Sequence, residues 1–121
     1  MKRLTHLEEQ IMIEVWQLKK CAIKDVVDRL DPTPPYTTVA SMFKSLVDKG
    51  YLTMQRFGNV KVYQPIINES AYKRHFMSDI VQSYFDNSYK ELVSFFAADE
   101  KISAKDLEEI IALIEKNKRE K

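Results

Sequence analysis

Residues 36–65 read YTTVASMFKSLVDKGYLTMQRFGNVKVYQP, and the fold turns on where the hydrophobic period changes inside them. From Thr37 to Lys49 the apolar residues Val39, Met42, Phe43, Leu46 and Val47 recur at helical spacing and mark one buried face. Gly50 follows where a left-handed cap closes a helix. Beyond it the helical period is lost. Tyr51–Phe57 and Val60–Pro65 are rich in β-forming residues and are separated only by Gly58-Asn59, the length of a tight hairpin link. The chain's only two glycines thus fall at a helix end and a hairpin tip, where backbone geometry asks for them.

Upstream, Thr5 and Glu8 have capping-box spacing and open a helix that runs to about Lys19 or Lys20. Leu7, Ile11, Val15 and Leu18, with Met12 and Trp16 beside them, form its inward stripe; Glu8, Glu9, Glu14 and Gln17 are expected to face water. A shorter amphipathic stretch from Lys24 to Leu30 turns Val26, Val27 and Leu30 inward, and Asp31-Pro32-Thr33-Pro34-Pro35 must end it. Downstream of Ser70 everything reads as helix, with a break at Asn87-Ser88 and a last helix opened by a capping box at Ser103 and Asp106.

Helix, helix, helix, hairpin is the order of a winged helix-turn-helix, in which the third helix enters the major groove and the hairpin is the wing. The expected fold is therefore mainly α with a small β-hairpin: a winged helix-turn-helix over residues 1–67 and an α-helical dimerisation domain over residues 68–121. On the third helix Thr37, Thr38, Ser41, Lys44, Ser45 and Asp48 point away from the apolar side. Small hydroxyls can approach base edges closely, and amides at the helix start can hold a phosphate. Arg56, Asn59 and Lys61 sit on or beside the hairpin tip, where long cations reach phosphates across the minor groove.

Charge supports that division. Residues 1–67 carry 10 Lys+Arg against 7 Asp+Glu, a net of +3, while residues 68–121 carry 9 against 11, a net of −2. A mildly basic head on an acidic tail is compatible with double-stranded DNA as partner. The single cysteine, Cys21, offers no intrachain disulfide and no multi-cysteine metal site, and reads as a packing residue. Met1-Lys2-Arg3-Leu4 leads into a polar helix start, and no apolar run approaches the length of a membrane span, so the expected compartment is the cytoplasm without direct membrane insertion. His6 and His75 lie far apart, and no nucleophile triad, phosphate-cradling glycine loop or metal spacing occurs; neither an enzyme nor a bound cofactor is expected.

The tail carries more apolar surface than so short a segment can hide within itself: Tyr72, Phe76, Ile80, Tyr84, Phe85, Leu92, Phe95, Phe96, Leu107, Ile110, Ile111 and Ile114. A second copy of the chain would cover it, and a homodimer on a two-fold axis suits an inverted-repeat operator.

Nearly the whole chain resembles the penicillinase-repressor family of BlaI/MecI type. The resemblance rests on Leu4-Thr5 with Glu8 and Glu9, on Val15-Trp16, on Asp25-Val26-Val27, and above all on Tyr36-Thr37-Thr38-Val39-Ala40-Ser41 through Leu46-Val47-Asp48-Lys49-Gly50-Tyr51-Leu52. Val60-Lys61-Val62-Tyr63-Gln64-Pro65 and the segment from Leu92 to Ile114 extend it. It implies a transcriptional repressor that binds as a dimer, with DNA contacts at Thr37, Thr38, Ser41, Lys44 and Ser45 and wing contacts from Arg56 to Lys61. Members that govern β-lactam resistance answer to a membrane sensor-protease pathway ending in repressor cleavage at an Asn-Phe bond. That bond aligns with Phe95-Phe96; the asparagine is missing, so β-lactam induction is not assumed, while the resemblance still implies release by a membrane sensor-protease pathway through proteolysis of the C-terminal domain, with Phe95-Phe96 as the expected cleavage position. Copper-responsive relatives carry a cysteine cluster near the C-terminus, which this chain lacks. The alternative function is a winged-helix module that binds protein instead of DNA, since fold alone does not fix function.

Overall fold

The structure, a computed structural model, describes residues 1–120 and divides the chain into two compact units, Met1–His75 and Phe76 onward. The first contains α1 (His6–Leu18), α2 (Ile23–Val27), α3 (Tyr36–Asp48), β1 (Leu52–Phe57) and β2 (Val60–Pro65). Helix α4 (Glu69–Tyr84) crosses the division, and α5 (Tyr89–Ala98) and α6 (Ala104–Glu120) complete the second unit. The head thus extends past Ile67, where the change of pattern in the sequence put its end.

Each boundary in the head has a local cause. Thr5 and Glu8 form the reciprocal cap of α1, with Thr5 N–H donating to Glu8 Oε1 at 2.8 Å and Glu8 N–H to Thr5 Oγ1 at 3.2 Å. Asp25 accepts the Ala22 N–H at 2.9 Å and starts α2 at Ile23. After Val27 the bonds tighten to three-residue spacing, Arg29 N–H to Val26 O and Leu30 N–H to Val27 O, ahead of the proline run. The helix therefore stops short of Leu30, where the apolar spacing suggested it would run. Pro35 precedes α3, its carbonyl accepting from Thr38 and Val39. At the other end Tyr51 N–H donates to Leu46 O and Gly50 N–H to Val47 O, a Schellman closure that requires the positive φ of Gly50, +83°. Tyr51 is consequently part of this closure, and β1 begins at Leu52.

The hairpin pairs antiparallel from Leu52↔Pro65 to Phe57↔Val60, leaving Gly58-Asn59 as the two-residue link. Cys21 adds a short third rung by exchanging backbone bonds with Tyr63, at 3.0 and 2.7 Å. This anchors the hairpin base to the α1–α2 connection. The core beneath is built from Ile11, Met12 and Val15 of α1, Val26 of α2, Val39, Phe43 and Leu46 of α3, and Leu52 of β1, with Phe43 edge-on to Tyr63 at 4.7 Å between ring centroids.

Glu8 departs from the sequence reading. Its helical position matched a solvent-facing acid, yet it is 1% exposed. A buried carboxylate requires partners. Lys49 Nζ donates to it at 2.7 Å, Ser45 Oγ at 2.7 Å and Thr5 N–H at 2.8 Å. Burial by itself would raise its pKa, but the Lys49 bond and those from Thr5 and Ser45 together hold it at about 2. The C-terminal half of α3 is tied to the start of α1 through this one side chain.

Tyr72, expected among the dimer-interface residues, closes the head: its ring packs on Trp16 and Tyr51 at 5.5 and 6.0 Å, and its hydroxyl donates to Glu9 at 2.5 Å. Trp16 Nε1 donates to Ile67 O at 2.9 Å, so the chain leaving β2 and the first turn of α4 are fastened to α1.

In the second unit Asn87 adopts the left-handed conformation, φ +61°, and Ser88 caps α5. Ser103 and Asp106 cap α6 reciprocally, both bonds at 3.0 Å. Among its described residues only Val81 is buried. Phe85 meets Phe95 edge-on at 5.6 Å. No described helix is long and apolar enough to cross a membrane.

Candidate nucleic-acid interface

Helix α3 is oriented by burial of one side. Val39, Phe43 and Leu46 are fully buried, and at about 100° per residue this turns Thr37, Thr38, Ser41 and Lys44 outward. All four are exposed, and Lys44 has no ion-pair partner among the described residues. The row thus offers three small hydroxyls and one cation, with Asp48 exposed towards the far end of the same face. Pro35 contributes no side-chain cap, so the first turn of α3 presents backbone amides without a local acceptor from that residue.

Ser45, expected in the same row, is only half exposed, and its Oγ proton is committed to Glu8 at 2.7 Å. It therefore stands at the edge of the face and ties the helix to the start of α1. The Glu8–Lys49 pair joins residues 41 positions apart, a separation at which no local pattern exists to reveal it. Only Glu8's part in the capping box was legible.

On the hairpin Arg56 and Lys61 are direct cross-strand partners and so project from the same face. Both are exposed, and neither has an acidic partner among the described residues. Like charges directly opposite one another are unfavourable unless an anion comes between them. Asn59 stands exposed at the tip. The head's acids are largely engaged elsewhere: Glu8 with Lys49, Glu14 with Arg29 at 2.7 Å, Glu9 with Tyr72, and Asp25 with the Ala22 amide. What remains free for a partner along α3 and the wing is mostly donor and cation.

The residues expected at a dimer interface divide by exposure. Phe76, Tyr84, Phe96, Ile110, Ile111 and Ile114 are exposed, Tyr84 by 79%, whereas Ile80, Phe85, Leu92 and Leu107 are half-buried. Phe95 and Phe96, where the sequence resemblance led a cleavage position to be expected, lie within α5 and are both exposed.

Three packed helices, a Schellman-closed third helix with a polar outer face, and a two-stranded wing together define a winged helix-turn-helix protein. The chain belongs to the penicillinase repressor family, whose pattern it matches over residues 4–116. It is 23% identical to the penicillinase repressor of Bacillus licheniformis over 121 residues, 98% of this chain and 94% of that one. Among solved structures it resembles the DNA-binding domain of the repressor BlaI, with a TM-score of 0.52 and 30% identity over 60% of this chain and 94% of that domain. A further match, covering 98% of this chain and 82% of the other, is the adhesin competence repressor of Streptococcus pyogenes, at 17% identity and a TM-score of 0.48.

Proposed function

We propose that this protein is a DNA-binding transcriptional repressor that grips an inverted-repeat operator as a homodimer. The observation that carries the reading is the exposed row Thr37, Thr38, Ser41 and Lys44 on a rigidly seated α3, beside a wing whose Arg56 and Lys61 lack counter-charges in the head. Helix α3 lies in the major groove. Its hydroxyls meet base edges and thymine methyls, Lys44 meets phosphate or guanine, and the wing cations and Asn59 engage the flanking backbone. The likeness of the head to the BlaI DNA-binding domain supports this assignment.

Dimerisation falls to the second unit. Phe76, Tyr84, Phe96, Ile110, Ile111 and Ile114 are too much apolar surface for a lone chain to leave in water. A dimer places two heads on one operator, and linking them tightens binding over a single head by roughly two to four orders of magnitude. Any signal that cleaves or loosens the second unit, including cleavage near Phe95-Phe96, would then release DNA without touching α3. Footprinting on the DNA upstream of the protein's own gene tests the reading. Protection of two half-sites about one helical turn apart, or a multiple of it, supports it; uniform absence of protection at low salt contradicts it.

A further inference from the structure

Beside the reading face of α3 lies a feature that the contacts above use only in part, through Asn59 and Lys61. An open groove runs between the start of α2, the first turns of α3 and the tip of the wing, with Lys24, Tyr36, Ala40, Asn59, Val60 and Lys61 in its walls. Tyr36 and Ala40 stand roughly 100° round the helix from Thr37 and Ser41. The groove therefore adjoins the reading face on the wing side and does not overlap it.

Its chemistry is two-sided. Ala40 and Val60 give apolar patches, while Lys24, Lys61, the Tyr36 hydroxyl and the Asn59 amide supply positive charge and donors. No Asp or Glu lines it. Asp25, next to Lys24 in sequence, is occupied with the Ala22 N–H at 2.9 Å. Neither Lys24 nor Lys61 forms an ion pair among the described residues, and Lys61 is also paired across the strands with Arg56. Tyr36 and Val60 are each 54% exposed, large apolar groups held open to water.

A trough that combines apolar patches with unpaired cations complements a chain that alternates sugar with phosphate. We propose that this groove holds one sugar–phosphate strand of duplex DNA, the strand that passes from the major groove occupied by α3 to the minor groove reached by the wing. Lys24 and Lys61 neutralise phosphates, the Tyr36 hydroxyl donates to a phosphate oxygen, and Ala40 and Val60 lie against deoxyribose. This rests on the DNA-binding reading above and adds Lys24 and Tyr36 to it. Backbone contacts set register and affinity and carry no direct sequence information. The groove thus fixes how far α3 sits in the major groove without choosing the bases.

The test uses the full chain and duplexes that the unmutated protein enriches from a randomised double-stranded library. Lys24→Ala is expected to lower affinity by a similar factor on every enriched duplex and to reduce the log–log salt slope by about one. Tyr36→Phe, which removes a neutral donor, is expected to lower affinity with the slope unchanged. Duplexes carrying one methylphosphonate at a time then locate the track: a position whose neutralisation weakens the unmutated protein should have lost that effect in Lys24→Ala. Both side chains are exposed, so circular dichroism spectra should be unchanged. If the unmutated protein binds with a normal salt dependence while both variants match it in affinity and slope, the backbone track is wrong and the DNA-binding reading stands. A changed base preference in Lys24→Ala also overturns it, by making Lys24 a base reader. Enrichment of no duplex at all removes the DNA-binding reading itself.

Discussion

Replacing Glu8 by Gln should destabilise the head at neutral pH and leave it nearly unaffected in strong acid. The magnitude follows from the ion pair. A carboxyl that ordinarily titrates near 4.5 is held at about 2 by Lys49, Thr5 and Ser45 against the opposing effect of burial. At about 1.4 kcal/mol per pH unit, that displacement corresponds to roughly 3 kcal/mol of folding stability. Because the folded pKa lies below the unfolded one, the contribution is complete above about pH 4.5 and disappears as pH falls through about 2. Glu8→Gln removes the charge but keeps the shape, so the difference between the two proteins should be roughly 3 kcal/mol at pH 7, shrink below pH 4.5, and approach zero near pH 2. Other carboxylates titrate equally in both proteins and cancel in the comparison. The assay is urea unfolding at several pH values, followed by fluorescence of Trp16, the chain's single tryptophan, which packs on Tyr72 within the head. Adding Lys49→Met to Glu8→Gln should recover part of the loss, because an unpaired ammonium is then no longer left half-buried. A difference that stays constant from pH 7 to pH 2.5 would refute the ion-pair account.

Other perturbations probe different parts of the molecule. Leu46→Ala, at a fully buried position on the inner side of α3, should cost about 2–5 kcal/mol in urea unfolding and abolish DNA binding only where the head is unfolded. Gly50→Ala forces a side chain into a φ of +83° and should lower stability by about 1–2 kcal/mol despite open space around the site. Ser41→Ala should relax preference at one operator position by about 1–3 kcal/mol in a sequence-scanning binding assay, and unchanged preference at every position would remove Ser41 from base reading. Ile111→Asp, at a residue 54% exposed on α6, should shift the protein towards monomer in sedimentation velocity while leaving the head's fluorescence unaltered.

Much of the fold was legible because its signals are local. The capping boxes at Thr5–Glu8 and Ser103–Asp106, the glycine that closes α3 and the two-residue hairpin link are all decided within a few residues. The exposed row on α3 followed from the same periodicity that named its core side. What escaped were pairings across long separations. Glu8 bears the same residue type and helical position as a solvated acid, and only Lys49, brought over it by the packing of α3 on α1, makes its burial tolerable. Ser45 is drawn from the outer face by the same carboxylate. Tyr72 belongs to an apolar stripe that continues through α4, and nothing in the stripe says that its first turn is pinned to Trp16 and Glu9 while its later turns lie in another unit.

The central claim, that two copies of this chain grip one operator through α3 and the wing, is tested most directly by sedimentation of the full chain with a duplex enriched from a randomised library, over a range of salt concentrations. The account predicts two chains per duplex, an affinity that falls steeply as salt rises, and a dimer that persists at micromolar concentration when DNA is absent. A folded monomer that binds one per duplex, or a dimer that binds no duplex even at low salt, would contradict it.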